Sequence, residues 1–292
     1  GAAAPSVPTV APAPVSSAAP AKVSGIADLA VVRGQNVSDI VRAAIDAVGG
    51  IDRYVKPGQK VVVKPNICVS SKPEYAATTN PEVVAALVTL CKNAGAAQVK
   101  VLDYGFAGQR TNYAESGIEE AVKRAGGDMI VITPVKWKKT EIPAGKELKS
   151  AAIFDDVLTA DTIINLPIAK HHNLARLTLG MKNLLGVIQL REILHYHMGQ
   201  QLSDLLTVVK PALTVLDATH ILLANGPQGG NLKDVKQLDT ILASPDIVAI
   251  DAYATSFFGI KPEDLETVRV GASNGVGIMD LSKLKVAEVS RQ

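Results

Sequence analysis

The sequence predicts an α/β fold with a mostly parallel, Rossmann-like sheet flanked by helices. Short apolar runs of strand length alternate along the chain with longer segments of helical periodicity. Residues 60–103 in particular read as a strand, a helix and a second strand, a unit that is nearly always parallel and right-handed. Such a sheet can form one body or two lobes that meet at a crevice.

The elements are predicted from apolar runs and from the residues that start and stop helices. Apolar, β-branched runs between turn residues predict the strands 26–32, 60–64, 99–102, 129–133, 162–166, 213–216, 237–242 and 284–289. Helices are predicted after the capping residues Ser38, Asn80 and Asn112, at 202–209, after Ser244-Pro245-Asp246 and after Pro262. The segment 134–149 is basic and irregular and suggests a hairpin at an edge of the sheet.

The first 24 residues differ in composition from the rest of the chain. They are rich in Ala, Pro and Ser, contain no aromatic residue and carry one charge, Lys22. Such a segment buries too little apolar surface to offset its ordering entropy, so we predict a disordered tail or linker at 1–24 and an α/β domain at 25–292. A tether of this kind often follows a cleaved signal peptide, which favours an exported or periplasmic protein over a cytoplasmic one.

Composition bears on several classes of partner. A chain of 292 residues, 47% of them hydrophobic and 20% charged, is long enough for a sizeable globular core. Its net charge of +2 offers no broad basic field for a nucleic acid, and it has no apolar run long enough to predict a transmembrane segment. Two cysteines, Cys68 and Cys91, are too few for an iron–sulfur cluster, so any cluster would belong to a redox partner protein. Whether the two cysteines pair is left open.

The stretch 161–199 contains four of the five histidines and is the strongest candidate for a site. Lys170, His171 and His172 follow a buried strand, and Lys182 and Asn183 follow on a predicted helix. Strand ends of an open α/β sheet face the ligand crevice. If these side chains converge, proton abstraction beside a carboxylate is the chemistry that suits them best.

Three further groups are candidate ligand contacts. Lys64 and Asn66 end another buried strand, where an amine and an amide can hold an anionic or carbonyl-bearing ligand. A turn that includes Asn225, Gly226 and Gly229 can bring backbone amides close to a ligand. Asp251 lies on an otherwise apolar helix, where a buried carboxylate needs a partner, and we expect a lysine across the crevice.

His195 and His197 raise the question of a divalent metal. On a strand their imidazoles would share a face and could bind one metal together with His171 or His172, whereas on a helix they would point apart. The preceding residues, 190–194, favour a helix, and neighbouring lysines repel a cation. Proton transfer and anion contacts are therefore the preferred interpretation of the histidines, with a metal as the alternative.

Together these residues resemble a known family, the domain of unknown function 362. The matching stretches are VVVKPN (61–66), ATTNPEVVAAL (77–87), INLPIAKHH (164–172), GMKNLLGV (180–187), ANGPQGG (224–230) and ASPDIVAIDAYA (243–254). The resemblance covers about 60–258 and implies paired roles for Lys170 with His172 and for Lys182 with Asn183, followed by a histidine that is either His195 or His197. His171 departs from the small polar residue that is usual there. Many members carry a ferredoxin segment, which this chain lacks, and many are exported by the twin-arginine route.

The resemblance names no reaction. The family is distantly similar in architecture to the nickel-dependent lactate racemase group, which implies a two-lobed α/β protein that closes on a small carboxylate. Two functional classes remain. One is an enzyme that acts on a small carboxylate or carbonyl compound, with His172 as acid or base, Lys182 beside it and lysines holding the anion. The other is a non-catalytic binding protein outside the cytoplasm that captures an anionic metabolite or a metal complex.

Overall fold

The computed structural model describes residues 25–105, 109–189 and 196–291. Within these ranges it confirms a mixed α/β fold with a ten-stranded sheet and a separate two-stranded sheet. The strands are β1 (Leu29–Arg33), β2 (Lys60–Pro65), β3 (Gln98–Val101), β4 (Asp128–Met129), β5 (Trp137–Glu141), β6 (Ser150–Phe154), β7 (Thr162–Leu166), β8 (Ile168–His172), β9 (Arg176–Thr178), β10 (Leu213–Leu222), β11 (Val235–Ser244) and β12 (Val286–Ser290). The helices are α1 (Val37–Ala47), α2 (Ile51–Tyr54), α3 (Pro81–Asn93), α4 (Gln109–Glu115), α5 (Ile118–Arg124), α6 (Asp155–Leu158), α7 (Gly180–Asn183), α8 (Met198–Leu205), α9 (Ile247–Ala254) and α10 (Glu266–Ser273).

The large sheet is mostly parallel. Its strand order is β12-β1-β11-β10-β7-β2-β3-β4, with β8 beside β10 and β9 beside β8. Strands β10, β7, β2, β3 and β4 run parallel to one another, whereas β11 runs antiparallel to both β1 and β10. The β2–α3–β3 unit is the parallel unit that the sequence predicts. How the whole chain divides into domains stays a prediction.

Helices pack on both faces of this sheet and create two apolar cores. Because side chains alternate along a strand, Val61 and Val63 of β2 enter one core while Val62 enters the other. The first core contains residues of α1, α3 and α5, and the second contains residues of α7, α8, α9 and α10. Charged side chains at the strand ends therefore stand between two apolar layers, where water has little access.

Proline 167 divides one long strand into β7 and β8. Proline has no N–H to donate to a ladder, so the pairing is interrupted there. Both halves nevertheless run beside β10, and Pro167 O accepts a hydrogen bond from Asp217 N at 2.8 Å. His171 and His172 thus lie on a second strand, rather than at the end of the first, and Asp217 lies inside β10, rather than at its end.

Several boundaries differ from the predicted ones for local reasons. Asn36 caps α1, not Ser38, because its Oδ1 accepts a hydrogen bond from Asp39 N at 3.1 Å. Asn112 lies buried inside α4 instead of capping it. The predicted basic hairpin is present, but β5 and β6 form a separate two-stranded sheet instead of an edge of the large sheet. Asn80 and Pro81 start α3 as predicted.

In residues 25–105, 109–189 and 196–291 no helix is both long and apolar enough to cross a membrane.

The position of the α1 cap can be tested with two substitutions only two residues apart. Asn36→Ala should lower the free energy of unfolding by about 1 kcal/mol, because it removes the acceptor of an otherwise unsatisfied helix N–H. Ser38→Ala is the matched control, since Ser38 is equally exposed, and should change stability by less than about 0.5 kcal/mol. Urea unfolding of the two variants measures both values, and a larger effect at Ser38 would contradict the assignment.

Candidate functional site

The carboxyl ends of β2 and β3 and the side chains of β8 and α7 meet around one small cavity. Its volume is about 40 Å³, which is room for a few water-sized groups. Five predicted site residues line it together: Lys64, Asn66, His172, Lys182 and Asn183. The other lining residues are Cys68, Asp103, Tyr104, Thr178, Leu185, Gly186 and Pro227.

A buried ion pair forms the floor of the cavity. Lys64 Nζ lies 2.7 Å from Asp103 Oδ1, and each side chain is only 1% exposed. Asp103 follows β3, and its second oxygen accepts a hydrogen bond from Ile67 N at 2.5 Å. The carboxylate therefore joins the ends of two adjacent strands and offsets the charge of Lys64.

Asn183 connects this pair to α7. Its Oδ1 accepts hydrogen bonds from Lys64 Nζ at 2.9 Å and from Asn66 Nδ2 at 3.0 Å. Its Nδ2 donates to Lys64 O at 3.1 Å and to Asn165 Oδ1 at 2.9 Å. All four contacts are made by one buried amide, so Asn183 fixes α7 against β2 and β7.

The glycine at position 186 allows the ion pair to fit. A Cβ atom there would lie 1.8 Å from Asp103 Oδ1 and 2.7 Å from Lys64 Nζ. Gly186 also accepts a hydrogen bond from Tyr104 N at 2.8 Å through its carbonyl oxygen. Only a residue without a side chain permits this close approach of backbone to the two charges.

Lys170 lies behind the cavity and is fully buried. Its ammonium contacts four acceptors: Asn66 Oδ1 at 3.1 Å, Cys68 Sγ at 3.4 Å, Pro227 O at 3.2 Å, and Ala77 O. None of these four is a carboxylate. Lys170 therefore brings a positive charge to the cavity wall that these contacts solvate but do not neutralise.

His172 is held in a defined orientation by the loop that follows it. Its Nδ1 accepts hydrogen bonds from Leu174 N and Ala175 N, each at 3.2 Å. Since Nδ1 is an acceptor, the neutral ring carries its proton on Nε2. His172 is thus positioned to donate a hydrogen bond through Nε2. In its neutral form the ring is therefore suited to polarise a ligand as a hydrogen-bond donor more than to act as a base.

Thr178 contributes a buried hydroxyl that has no hydrogen-bond partner among the described residues. The side chain is 3% exposed and lines the cavity. Thr178 lies directly opposite Lys170 in the antiparallel β8–β9 pair, so its side chain shares a face with Lys170 and His172. A buried hydroxyl without a partner is costly, and an oxygen-bearing ligand would satisfy it.

Asp251 has a different partner from the predicted lysine. Its Oδ1 accepts from Gly180 N at 2.6 Å and its Oδ2 from Met181 N at 2.9 Å, so it caps the N-terminus of α7. Burial raises the pKa of Asp251 to about 7, although both amide hydrogen bonds lower it. Asp251 is not among the residues that line the cavity and positions α7 from behind.

The 225–230 turn also acts from behind the cavity. Gly226 N donates to His171 Nδ1 at 3.1 Å, and a Cβ at Gly226 would lie 1.9 Å from His171 O. Asn225 Nδ2 donates to Asp234 Oδ2 at 2.8 Å. Gly229 has a φ of +63°. Of this turn only Pro227 is among the described residues that line the cavity, and Gly226 supports β8 through His171, whereas Asn225 is bonded to Asp234.

The predicted metal ligands do not converge within the part of the chain that is described. His171 faces away from Lys170 and His172 on β8, and His197 is exposed, with Nδ1 3.3 Å from Glu147 Oε2. No group of three or more His, Cys, Asp or Glu in the described ranges could hold a metal ion. The ammonium-lined cavity likewise does not fit a divalent cation. His195 lies outside the described residues, so the metal interpretation that depends on it stays a prediction.

Of the seven lining residues that the sequence did not indicate as site residues, Asp103, Thr178 and Gly186 shape the polar part of the cavity. Asp103 follows the predicted strand 99–102, so the same rule that selects Lys64 applies to it. Gly186 and Thr178 gave no sequence signal, because their roles depend on packing against Asp103 and on strand register.

Both cysteines are free, which answers the question of their pairing.

Fold and cavity together define an α/β protein with a small, cationic, water-poor site at the carboxyl edge of a mostly parallel sheet. The chain belongs to the family described as Domain of unknown function (DUF362), whose model matches residues 61–256.

Two known proteins are similar to this chain. A thylakoid-associated protein of Synechocystis sp. is 27% identical over 243 residues, which cover 78% of this chain and 72% of that protein. The structure of the lactate racemase apoprotein from Thermoanaerobacterium thermosaccharolyticum aligns with a TM-score of 0.47 and 13% identity. That alignment covers 81% of this chain and 57% of the racemase chain.

The capping role of Asp251 predicts a specific dependence of stability on pH. Because its folded pKa is raised above the value of an unfolded Asp, the folded protein binds the proton more tightly, and stability from this group is lost as pH rises from about 4 through about 7. Asp251→Asn cannot titrate. The difference in free energy of unfolding between wild type and Asp251→Asn should therefore change by about 4 kcal/mol between pH 4 and pH 8, at about 1.4 kcal/mol per pKa unit.

Urea unfolding over this pH range gives the two profiles. If the free energies of unfolding of wild type and Asp251→Asn change with pH in parallel, the raised pKa of Asp251 is contradicted, even where the variant is less stable at every pH.

Proposed function

We propose that this chain is an enzyme that binds a small carboxylate or carbonyl compound and acts on it by acid–base chemistry at His172, with lysines holding the anion. The observation that supports this is the charge of the cavity lining. Among the described residues it includes the ammonium groups of Lys64 and Lys182 and the carboxylate of Asp103, which is paired with Lys64. Lys170 adds a buried ammonium behind the cavity, and none of its four contacts described above is a carboxylate. An anion would offset this positive charge in a place where water screens it weakly.

The cavity residues suit distinct roles toward such a ligand. Lys182 is half-buried on α7 and supplies a charge for a carboxylate as well as a second group for proton transfer. His172 Nε2–H can donate to a carbonyl oxygen on which negative charge develops. A neutral imidazole used as an electrophile in this way needs its proton fixed on one nitrogen, and the loop amides of Leu174 and Ala175 do so.

The alternative is a binding protein that holds an anionic metabolite without turning it over. The cationic lining fits this function equally well, but a binder gains little from a histidine with a fixed tautomer. Export from the cytoplasm and association with a redox protein would be compatible with either function, and both stay predictions.

Anion binding is tested by thermal stabilisation. Glycolate, lactate and glyoxylate at about 100 times their Kd should stabilise the folded state by about 2.7 kcal/mol and raise Tm by roughly 5–10 °C, because they bind only the folded cavity. Lactamide, a neutral relative of lactate, should have no effect. Lys182→Gln should remove most of the shift, whereas Lys138→Gln, which removes the same charge from an exposed position on β5, should leave it intact. Equal shifts with lactamide would count against a carboxylate site.

Catalysis is tested at His172. For glycolate or lactate, whichever stabilises the protein more, the wild type should exchange the hydrogen on the carbon beside the carboxylate with solvent deuterium, which proton NMR detects. His172→Gln should slow this exchange by about 100-fold or more while keeping the thermal shift. Wild-type protein that binds the carboxylate but exchanges no hydrogen would favour the binding function.

A further inference from the structure

The cavity contains a thiol that the proposed chemistry does not use. Cys68 lines the cavity and is partly exposed, whereas Cys91, the other cysteine, is buried in α3. Lys170 Nζ lies 3.4 Å from Cys68 Sγ. An adjacent ammonium stabilises the negative charge that sulfur carries when it reacts as a thiolate.

The surroundings of Lys170 favour a negative charge at this position. The ammonium is fully buried, and its other three acceptors are the neutral oxygens of Asn66, Ala77 and Pro227. Burial of a charge that is only hydrogen-bonded to neutral groups is costly. A charge on Cys68 Sγ would offset that cost directly.

A second, independent feature indicates that a ligand reaches the same place. The Thr178 hydroxyl is buried, lines the cavity and has no hydrogen-bond partner among the residues described. Thr178 and Cys68 both line the cavity, and Thr178 stands opposite Lys170 across the β8–β9 pair, so its side chain lies on the same face of that pair as Lys170. An oxygen of a ligand attached near Cys68 would give this hydroxyl its partner.

We propose that Cys68 is a nucleophile that adds to the carbonyl carbon of a small oxo acid, with Lys170 as its positioning residue. In this step a carbon–sulfur bond forms and the π bond of the carbonyl breaks. The π electrons move to the oxygen, which receives the proton that the thiol gives up. The product is a hemithioacetal, with no change of oxidation state and no further reactant. This inference rests on the proposed function, since the carboxylate of the oxo acid needs the cationic cavity.

The test uses two alkylating probes that differ only in charge. Native protein is treated with iodoacetate or iodoacetamide, and modification of each cysteine is followed by peptide mass spectrometry. The ratio of the alkylation rate with iodoacetate to that with iodoacetamide should be about tenfold higher for Cys68 than for glutathione, because the cavity attracts the carboxylate of iodoacetate. Cys91 is the internal control and should stay unmodified, since burial raises the pKa of the Cys91 thiol to about 12. If this rate ratio is the same for Cys68 as for glutathione, the inference is overturned.

The adduct itself is detected with glyoxylate labelled with ¹³C at its aldehyde carbon. Wild-type protein should give a new resonance from a tetrahedral carbon bonded to sulfur, and Cys68→Ser should not. If the resonance is absent from wild-type protein at saturating glyoxylate, Cys68 is not the nucleophile.

The role of Lys170 has its own readout in the choice between the two probes. Lys170→Met removes the ammonium that lies 3.4 Å from Cys68 Sγ, so it should slow alkylation of Cys68 by iodoacetate more than alkylation by iodoacetamide. An equal loss with both probes would mean a collapsed cavity and would contradict the positioning role. If this variant does not fold, the two-probe comparison on native protein still decides the proposal.

The outcomes separate this inference from the proposed function. If carboxylates raise Tm but Cys68 shows neither selective alkylation nor an adduct, only the nucleophile is refuted. If carboxylates raise no Tm and iodoacetate has no advantage, the anion site is refuted as well.

Discussion

The site depends on one buried ion pair, Lys64 with Asp103. Transfer of both charges out of water costs more than their attraction returns unless further hydrogen bonds complete the arrangement. Here Ile67 N donates a hydrogen bond to the second carboxylate oxygen of Asp103, and Asn183 Oδ1 accepts one from Lys64 Nζ. Because removal of either charge would leave the other uncompensated, the pair links the end of β2, the residue after β3 and helix α7 into one unit.

The two walls of the cavity are held by different means. Helix α7 has only four residues, too few to be stable as an isolated helix, so its position follows from contacts at both of its ends. At its first residues Asp251 accepts from Gly180 N and Met181 N, and at its last residue Asn183 Nδ2 donates to Lys64 O and Asn165 Oδ1. The opposite wall is β8, which continues past Pro167 and is held by β9 and β10. Lys182 is thus placed by buried polar contacts and His172 by strand pairing and its own loop.

The sequence indicates the site where a simple rule connects position in the chain to position in space. Lys64 and Asn66 lie at the carboxyl end of β2 and His172 at the carboxyl end of β8, and parallel strands carry their ligands at this edge of a sheet. Asn80 and Pro81 likewise have one common use, at a helix start. The rule does not identify a residue's role where two neighbouring residues are equally suitable or where the role depends on tertiary packing. Asn36 and Ser38 are equally suitable caps by type, and the partner of Asp251 proved to be two amides of α7, which no pattern in α9 reveals. Thr178 enters the site only through its register opposite Lys170.

The remaining question is why a site that already has three lysines around it should also fix a histidine. Charge alone would hold an anion, and for that purpose the tautomer of His172 is irrelevant. The loop amides of Leu174 and Ala175 nevertheless determine which ring nitrogen bears the proton, a constraint that matters when a proton or a developing oxyanion must be handled at a defined point. Two amide donors directed at Nδ1 leave Nε2 as the donor of the neutral ring, whereas the lysines supply charge. A cavity that combines ammonium groups with a histidine of fixed tautomer would distinguish the two ends of a ligand such as an oxo acid, its carboxylate and its carbonyl oxygen. Such discrimination suits chemistry at the carbon between them, which is the basis of the proposed function, better than simple storage of an anion.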